Sequence, residues 1–233
     1  MEIKNNKINI HYLIWYFVIF SIIGLIIETI FCYITTGVIE SRKGLLIGPF
    51  CPIYGVGAVC LICILNKYKG NDLAIFVLGG IAGSTIEYIL SYALEAIYGA
   101  RFWDYDYTLF NLNGRICLTF TIYWSILSII LMKYIKPKLD KYIEKIAKNK
   151  RKLIDGLILI FLLLDALITI WSVEVYQERV KNQYEGIAIQ KEENIKIKIE
   201  EKCFSNEIML KTFPNLRTRD KQGNVIFIRD LQN

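Results

Sequence analysis

Residues 12–31 read YLIWYFVIFSIIGLIIETIF, and this stretch decides the fold class. Its only charged side chain is the carboxylate of Glu28. A helix of that length, at 1.5 Å per residue, reaches across the hydrocarbon core of a bilayer, which is about 30 Å thick. The stretch therefore predicts a transmembrane helix over residues 11–35.

The rest of the chain repeats this alternation of apolar blocks and polar connections. Of its 233 residues, 54% are hydrophobic and 21% are charged, and the mean hydropathy is +0.37. A soluble domain of this size needs a more polar surface. We expect an all-α integral membrane protein with about five transmembrane helices, at 11–35, 51–66, 73–98, 115–135 and 153–175.

The lysines predict how the chain is threaded through the membrane. They concentrate at Lys4 and Lys7, at Lys67 and Lys69, and in residues 133–152. Five crossings place these three groups on one side, which the positive-inside rule makes cytoplasmic. The +6 net charge thus reflects topology, and no nucleic-acid partner is expected.

This threading divides the chain into a transmembrane domain, residues 1–175, and an extramembrane tail, residues 176–233. The predicted location is a bacterial plasma membrane, with the N-terminus in the cytoplasm and the tail outside. The mixed-charge tail is expected to be helical to about residue 202, with a turn at 222–224 that leads into a short strand.

Residues 137–152 form a distinct basic element. Leu139, Ile143 and Ile146 recur at helical spacing, whereas lysines fill the other face. This pattern is typical of an amphipathic helix in the inner membrane interface, against anionic lipid. The alternative is a solvated basic linker that serves topology alone.

Carboxylates inside a bilayer are costly and therefore indicate function. Glu28 and Glu87 lie at the same predicted depth, in the outer half of helices that both run outward, and Glu95 lies near the outer surface. Each helix also carries a stripe of small residues below its acidic residues, which favours close packing around a polar cavity. Asp165 has no evident basic partner, so we expect it to be protonated or hydrogen-bonded to a neighbouring helix.

The outward loops carry residues that complement these carboxylates. Residues 36–50 hold Arg42 in a glycine- and proline-rich context that predicts a broken or re-entrant segment. Residues 99–114 hold Arg101 and several aromatic and polar residues. Arginines at this level are the natural partners of the buried carboxylates. The predicted substrate-binding residues are Glu28, Arg42, Tyr54, Glu87, Glu95, Trp103, Asp104, Tyr105, Asn113 and Arg115; the alternative is that such pairs only tie helices to loops.

The ordered set of motifs resembles a known family over about residues 11–135. The motifs are Glu28, the stretch from Arg42-Lys43-Gly44 to Gly55, Glu87-Tyr88 with Glu95, Trp103-Asp104-Tyr105, and Asn113-Gly114-Arg115. They are similar to those of the bacterial family named Putative ABC-transporter type IV, or CmpB-like, although that family has Arg-Gly where this chain has Arg42-Lys43-Gly44. The resemblance implies a permease-like subunit that moves a small solute or lipid-like compound.

Such a subunit would need partners. This sequence has no G-x-x-x-x-G-K-[ST] phosphate loop, so ATP would be bound by a separate subunit. Five helices make a small permease, which would need to form a homodimer.

Two other functions stay open. The first is an intramembrane enzyme that acts on a lipid or lipid-linked substrate at the outer leaflet, with carboxylates as acid and base. Against it, the single histidine, His11, is predicted at the cytoplasmic edge, so no Ser-His-Asp set is expected, and we assign no catalytic residue. The second is a scaffold whose tail binds a partner in the cell envelope.

No metal or cofactor is expected. The pair Cys60 and Cys63 lies within apolar sequence without histidine or further cysteine partners, and the pairing arginines argue against a carboxylate metal site.

Overall fold

The computed structural model describes residues 9–98, 103–146, 148–184, 202–219 and 225–231, and these are mostly helical. The helices are α1 Ile10–Thr36, α2 Pro52–Leu65, α3 Asp72–Tyr98, α4 Leu118–Ile130, α5 Lys136–Glu144, α6 Arg151–Tyr184 and α7 Asn206–Thr212. The strands form two small antiparallel pairs, β1 Asn111–Leu112 with β2 Ile116–Cys117 and β3 Arg217–Arg219 with β4 Val225–Phe227.

The helix lengths confirm the all-α membrane fold. Among the described residues, four segments are long and apolar enough to cross a bilayer: Ile10–Thr36, Asp72–Ala96, Leu118–Glu144 and Lys148–Tyr184. The segment Pro52–Tyr68 is a shorter apolar helix. The five predicted helices are therefore all present, and they differ in length.

Local chemistry sets the helix ends. The side-chain oxygens of Asn9 and Asn71 accept backbone N–H groups at the starts of α1 and α3. Gly37 ends α1 in a left-handed conformation, with φ of 73°, and its N–H donates to Tyr33. The fourth helix begins at Leu118, three residues later than predicted, because Ile116 and Cys117 belong to β2.

The basic element continues α4 without a break. A π-helical turn, Leu131–Ile135, joins α4 to α5, and Pro137 follows it. Proline has no N–H to donate to the preceding turn, so the regular hydrogen-bond ladder is interrupted at this point. Residues 136–144 are helical, in agreement with the predicted amphipathic pattern.

The chain divides into two compact units. Unit 1 contains residues 1–21, 52–97 and 101–159, and unit 2 contains residues 22–51, 98–100 and 160–233. The core of unit 1 includes Tyr16, Ile62, Leu65, Ile75 and Ile143. The core of unit 2 packs Tyr176 and Val180 of α6 against the tail residues Phe204, Met209, Leu216 and Ile228.

The stripe of small residues on α3 lies against α4. A methyl group added to Gly79 would come within 2.4 Å of the Ser128 side chain, and one added to Gly83 would come within 2.6 Å of Trp124. The close approach that the glycines predicted is therefore made with α4. In the same unit, Ser21 of the α1 stripe meets Gly55 of α2.

Candidate functional site

The β1–β2 hairpin positions the main polar cluster of unit 1. Three residues, 113–115, connect the strands, and Asn113 and Gly114 both have positive φ, 53° and 64°. Arg115 N donates to Leu112 O at 3.1 Å, and Asn-Gly is a favoured sequence where two successive turn residues have positive φ. A side chain at Gly114 would come within 2.4 Å of the Asp104 carboxylate, so glycine is required there for space as well as for conformation.

The hairpin presents Arg115 to α3. The Arg115 Nη1 donates to Ser91 Oγ at 3.0 Å, and Nη2 forms a salt bridge with Glu95. The guanidinium carbon lies 5.7 Å and 5.5 Å from the ring centroids of Tyr88 and Tyr92. These four partners occupy one face of α3, since they are three and four residues apart. Arg115 is therefore held by charge, hydrogen bonding and aromatic rings together.

Glu87 is bound by neutral donors. Its Oε1 accepts from the Tyr105 hydroxyl at 2.9 Å, and its Oε2 accepts from the Trp124 indole N–H at 2.9 Å. The predicted partner of Glu87 is an arginine, but the Arg115 guanidinium binds Ser91 and Glu95, farther along α3. Both carboxylate oxygens of Glu87 thus accept hydrogen bonds, and these bonds tie α3 to α4 through Trp124 and to the 103–106 segment through Tyr105.

Tyr105 connects the hairpin with α3. Burial raises the pKa of the Tyr105 hydroxyl well above its ordinary value of 10.0, and the charge of Glu87 raises it further. The hydroxyl therefore keeps its proton and remains a donor to Glu87. The backbone fixes the same segment, because Tyr105 N donates to Gly114 O at 2.8 Å and Trp103 Nε1 donates to Arg115 O at 3.0 Å.

An open depression of about 400 Å³ lies beside this cluster, and we call it the hairpin depression; it is lined by Tyr88, Tyr92, Asp106, Asn113 and Arg115. The Asn113 amide donates to the Tyr88 hydroxyl at 3.0 Å. Aromatic rings, an amide and one carboxylate can hold a polar molecule by hydrogen bonds and stacking. Among the described residues, no group of three or more His, Cys, Asp or Glu side chains could hold a metal ion.

Seven predicted site residues therefore meet in unit 1: Glu87, Glu95, Trp103, Asp104, Tyr105, Asn113 and Arg115. Asp104 stabilises the loop, because its Oδ1 accepts from the Asp106 N–H at 2.9 Å. Tyr54 lies half-buried in the first turn of α2, also in unit 1. Asp106 was missed, although its position beside Trp103-Asp104-Tyr105 is a signal that could have included it.

Two predicted site residues belong to unit 2. Glu28 lies partly buried on α1. The Arg42 Nη2 donates to the Cys32 sulfur at 2.8 Å and lies 3.9 Å from a Glu40 carboxylate oxygen. A shared pocket for Glu28 and Glu87 stays a prediction, and Arg101 lies outside the described residues.

Unit 2 contains a polar centre around Asp165. This side chain is fully buried on α6, and its carboxylate accepts the backbone N–H groups of Ile47 and Gly48 at 3.0 Å and 2.8 Å. Thr169, one turn later, accepts the N–H of Leu46 at 2.8 Å. The 44–50 segment is non-helical, as predicted, and α6 supplies the acceptors that such a backbone needs in an apolar setting.

A second polar centre in unit 1 joins the start of α1 to α5 and α6. His11 Nδ1 lies 2.7 Å from an Asp155 oxygen, and Trp15 Nε1 donates to the same carboxylate at 3.1 Å. The Tyr16 hydroxyl donates to Asp140, which also accepts from Lys136 at 2.8 Å. Asp140 and Asp155 are not among the predicted site residues, because the lysines around them indicate an interface helix or a basic linker.

Comparison with known proteins identifies a family for this chain. Residues 15–170 match a model of the family described as Putative ABC-transporter type IV. No curated protein and no solved structure matches the chain.

Proposed function

Because the chain belongs to this ABC-transporter type IV family, whose model covers well over half of it, we propose that it is the membrane-spanning subunit of a transport system. In this proposal it moves a small solute or a lipid-like compound, and a separate subunit binds ATP. The family match is the observation that carries the proposal. Four long apolar helices supply the membrane-embedded body that such a subunit needs.

The hairpin depression is the proposed point of entry for the substrate. Its lining combines aromatic rings with hydrogen-bonding groups, and Arg115, which is part of that lining, is held in place by Ser91 and Glu95. A preorganised polar wall favours a polar solute or headgroup, because no ordering of the wall is then required on binding. Tyr54 of unit 1, and Glu28 and Arg42 of unit 2, are likewise proposed to bind substrate.

The hydrogen bonds that Glu87 accepts favour transport over the enzymatic alternative. A general base needs a free carboxylate oxygen directed at its substrate, whereas both oxygens of Glu87 accept hydrogen bonds from Tyr105 and Trp124. His11 is engaged by Asp155, in a different cluster. The arrangement suits binding and positioning better than proton transfer.

The proposed topology has five crossings in a bacterial plasma membrane, made by α1, α2, α3, the α4–α5 segment and α6. The lysine-rich connections then face the cytoplasm, and the hairpin and tail face outward. To test this, single cysteines at Tyr107 and Lys69, both exposed, would be introduced into a variant without the native cysteines. We expect a membrane-impermeant maleimide to label Tyr107→Cys in intact cells and Lys69→Cys only after permeabilisation; the reverse pattern would invert the topology.

The transport proposal is tested by purifying the tagged full chain from its native membranes. We expect an ATP-binding polypeptide to co-purify and to be labelled by 8-azido-ATP, and the proposed homodimer to be visible by light scattering. A chain that repeatedly purifies without any nucleotide-binding partner would contradict the proposal.

A variant pair then tests the substrate route. Arg115→Lys should lose a co-purified small molecule seen by mass spectrometry, since lysine cannot reproduce both hydrogen bonds and the aromatic stacking. Arg229→Lys is the matched control, because Arg229 also lies over an aromatic ring, that of Phe227 in the tail. Equal retention by both variants would exclude the hairpin depression as the entry point.

A further inference from the structure

One strongly charged surface of unit 1 has no part in the proposed transport route. Three exposed lysines, Lys138, Lys141 and Lys145, lie on or next to α5, and three more, Lys148, Lys150 and Lys152, follow before α6 becomes apolar. Within the described part of the chain, no salt bridge involves any of them. We call these six residues the lysine face.

The apolar side of α5 is already occupied. Ile143 is 1% exposed in the unit 1 core, and Leu139 and Ile146 pack against the same core. Asp140 binds Lys136 and Tyr16, which fixes the helix to α1. The helix therefore cannot turn its apolar side into lipid, and the surface that it presents is basic.

If Leu118 lies at one edge of the hydrocarbon core, the length of the helix brings this surface to the level of the lipid headgroups at the other edge. The segment Leu118–Glu144 has 27 residues, or about 40 Å of helix, which exceeds the hydrocarbon core by about 10 Å. This excess matches the headgroup layer of one leaflet. The span Lys148–Tyr184 begins directly afterwards, so its first lysines lie at a similar level.

The exposure of Tyr142 also favours a position of the lysine face at the level of the lipid headgroups. Its side chain is 66% exposed, and the Lys145 ammonium lies 5.6 Å from its ring centroid. Exposed tyrosines beside lysines are typical of the membrane–water boundary, where the ring contacts the lipid and the hydroxyl meets water.

We propose that the lysine face binds the phosphate groups of anionic phospholipids in the adjacent leaflet. Several ammonium groups in a row, with no salt bridge to an acidic residue among the described residues, match a layer of lipid phosphates. A protein partner would need an apolar anchor at the centre of its interface, and this face offers only Tyr142. The inference does not depend on what the chain transports.

The test measures lipid affinity in purified full-length protein. Fluorescent phosphatidylglycerol and phosphatidylcholine are titrated against the unmodified chain and against the triple variant Lys138→Gln, Lys141→Gln, Lys145→Gln. We expect the triple variant to lose about 100-fold in affinity for phosphatidylglycerol, which corresponds to about 1 kcal/mol per lysine. Added salt should weaken binding by the unmodified chain.

The matched control is Lys181→Gln, Lys202→Gln, Lys211→Gln, which removes the same charge from three exposed lysines outside this face. It should bind phosphatidylglycerol like the unmodified chain, and thermal unfolding of both triple variants should show that they are folded. Equal affinity for the two lipids, or full binding by the lysine-face variant, would overturn the proposal. It would also be overturned if an acidic protein bound this face while the affinity for phosphatidylglycerol did not depend on it.

Discussion

Arg115 shows how one residue can hold a site together. Its guanidinium is almost fully buried and meets Ser91, Glu95 and two tyrosine rings, all on α3. A buried cation is tolerated only with such partners, since an unpaired one would carry its full desolvation cost. Moving the hairpin away from α3 would therefore break all of these contacts at once.

The first prediction concerns stability at this residue. Replacing Arg115 with alanine removes the hydrogen bond to Ser91 and the salt bridge to Glu95. We expect a loss of about 2 kcal/mol in the free energy of unfolding, because Glu95 retains access to solvent. Thermal unfolding in detergent measures this loss. Arg229→Ala, which breaks a more exposed pair with Glu40, should cost less than about 1 kcal/mol. If both variants lost the same stability, the contacts of Arg115 would contribute no more to folding than an exposed ion pair does.

The second prediction concerns pH. Tyr105 has a pKa raised above the ordinary value of 10.0, mainly by burial and then by the charge of Glu87. The folded state thus holds this proton more tightly, so the stabilisation is fully present below pH 10 and declines as the pH rises towards the pKa of the folded protein. Tyr105→Phe should flatten the decline in melting temperature above pH 10. If the melting temperature of this variant fell as steeply above pH 10 as that of the unmodified chain, groups other than Tyr105 would be responsible for the loss of stability.

At the scale of elements, the 44–50 segment depends on α6. Two successive N–H groups of this segment donate to one carboxylate, Asp165, and a third donates to Thr169. Gly44 N donates to Phe50 O at 2.8 Å, which closes the segment into a turn. The Phe50 ring also packs edge-on against the ring of Phe161 on α6. The glycines and prolines predicted an irregular segment, whereas the acceptor that fixes it is more than a hundred residues away.

The third prediction follows from this arrangement. Asp165→Leu removes the acceptor for a buried N–H group, that of Gly48, and for a part-buried one, that of Ile47. At about 1–3 kcal/mol for each group left unsatisfied, the substitution should destabilise unit 2. Asp165→Asn keeps one acceptor oxygen and should cost less. Glu174→Gln, an exposed position on the same helix, is the control. Protease resistance of the 44–50 segment in the leucine variant would contradict the prediction.

At the scale of the whole molecule, the tail is part of a packed unit. Phe204, Met209, Leu216 and Ile228 are buried together with Tyr176 and Val180 of α6. The scaffold hypothesis, in which the tail binds a partner in the cell envelope, stays a prediction. The buried apolar side chains of the tail cover Tyr176 and Val180 of α6, so removing the tail would expose them.

The fourth prediction tests this packing. Met209→Asp places a charge in the unit 2 core and should release the tail to proteolysis, at a cost above about 3 kcal/mol, while the membrane spans remain inserted. Ile208→Asp changes the neighbouring residue, which is 41% exposed, and should leave the tail resistant. Equal cleavage in both variants would mean that the tail core contributes little. Truncation after Gln177 should likewise lower the stability of unit 2.

The sequence by itself determined the all-α membrane class and the approximate helix bounds. These follow from local properties, namely the length of the apolar blocks and the cost of charge in a bilayer. Only the tertiary structure decided which groups pair: Glu87 with Tyr105 and Trp124, and His11 with Asp155. Pairing depends on the rotation and packing of helices distant in sequence, and several partners of similar chemistry compete for each carboxylate, so residue type alone leaves the choice open.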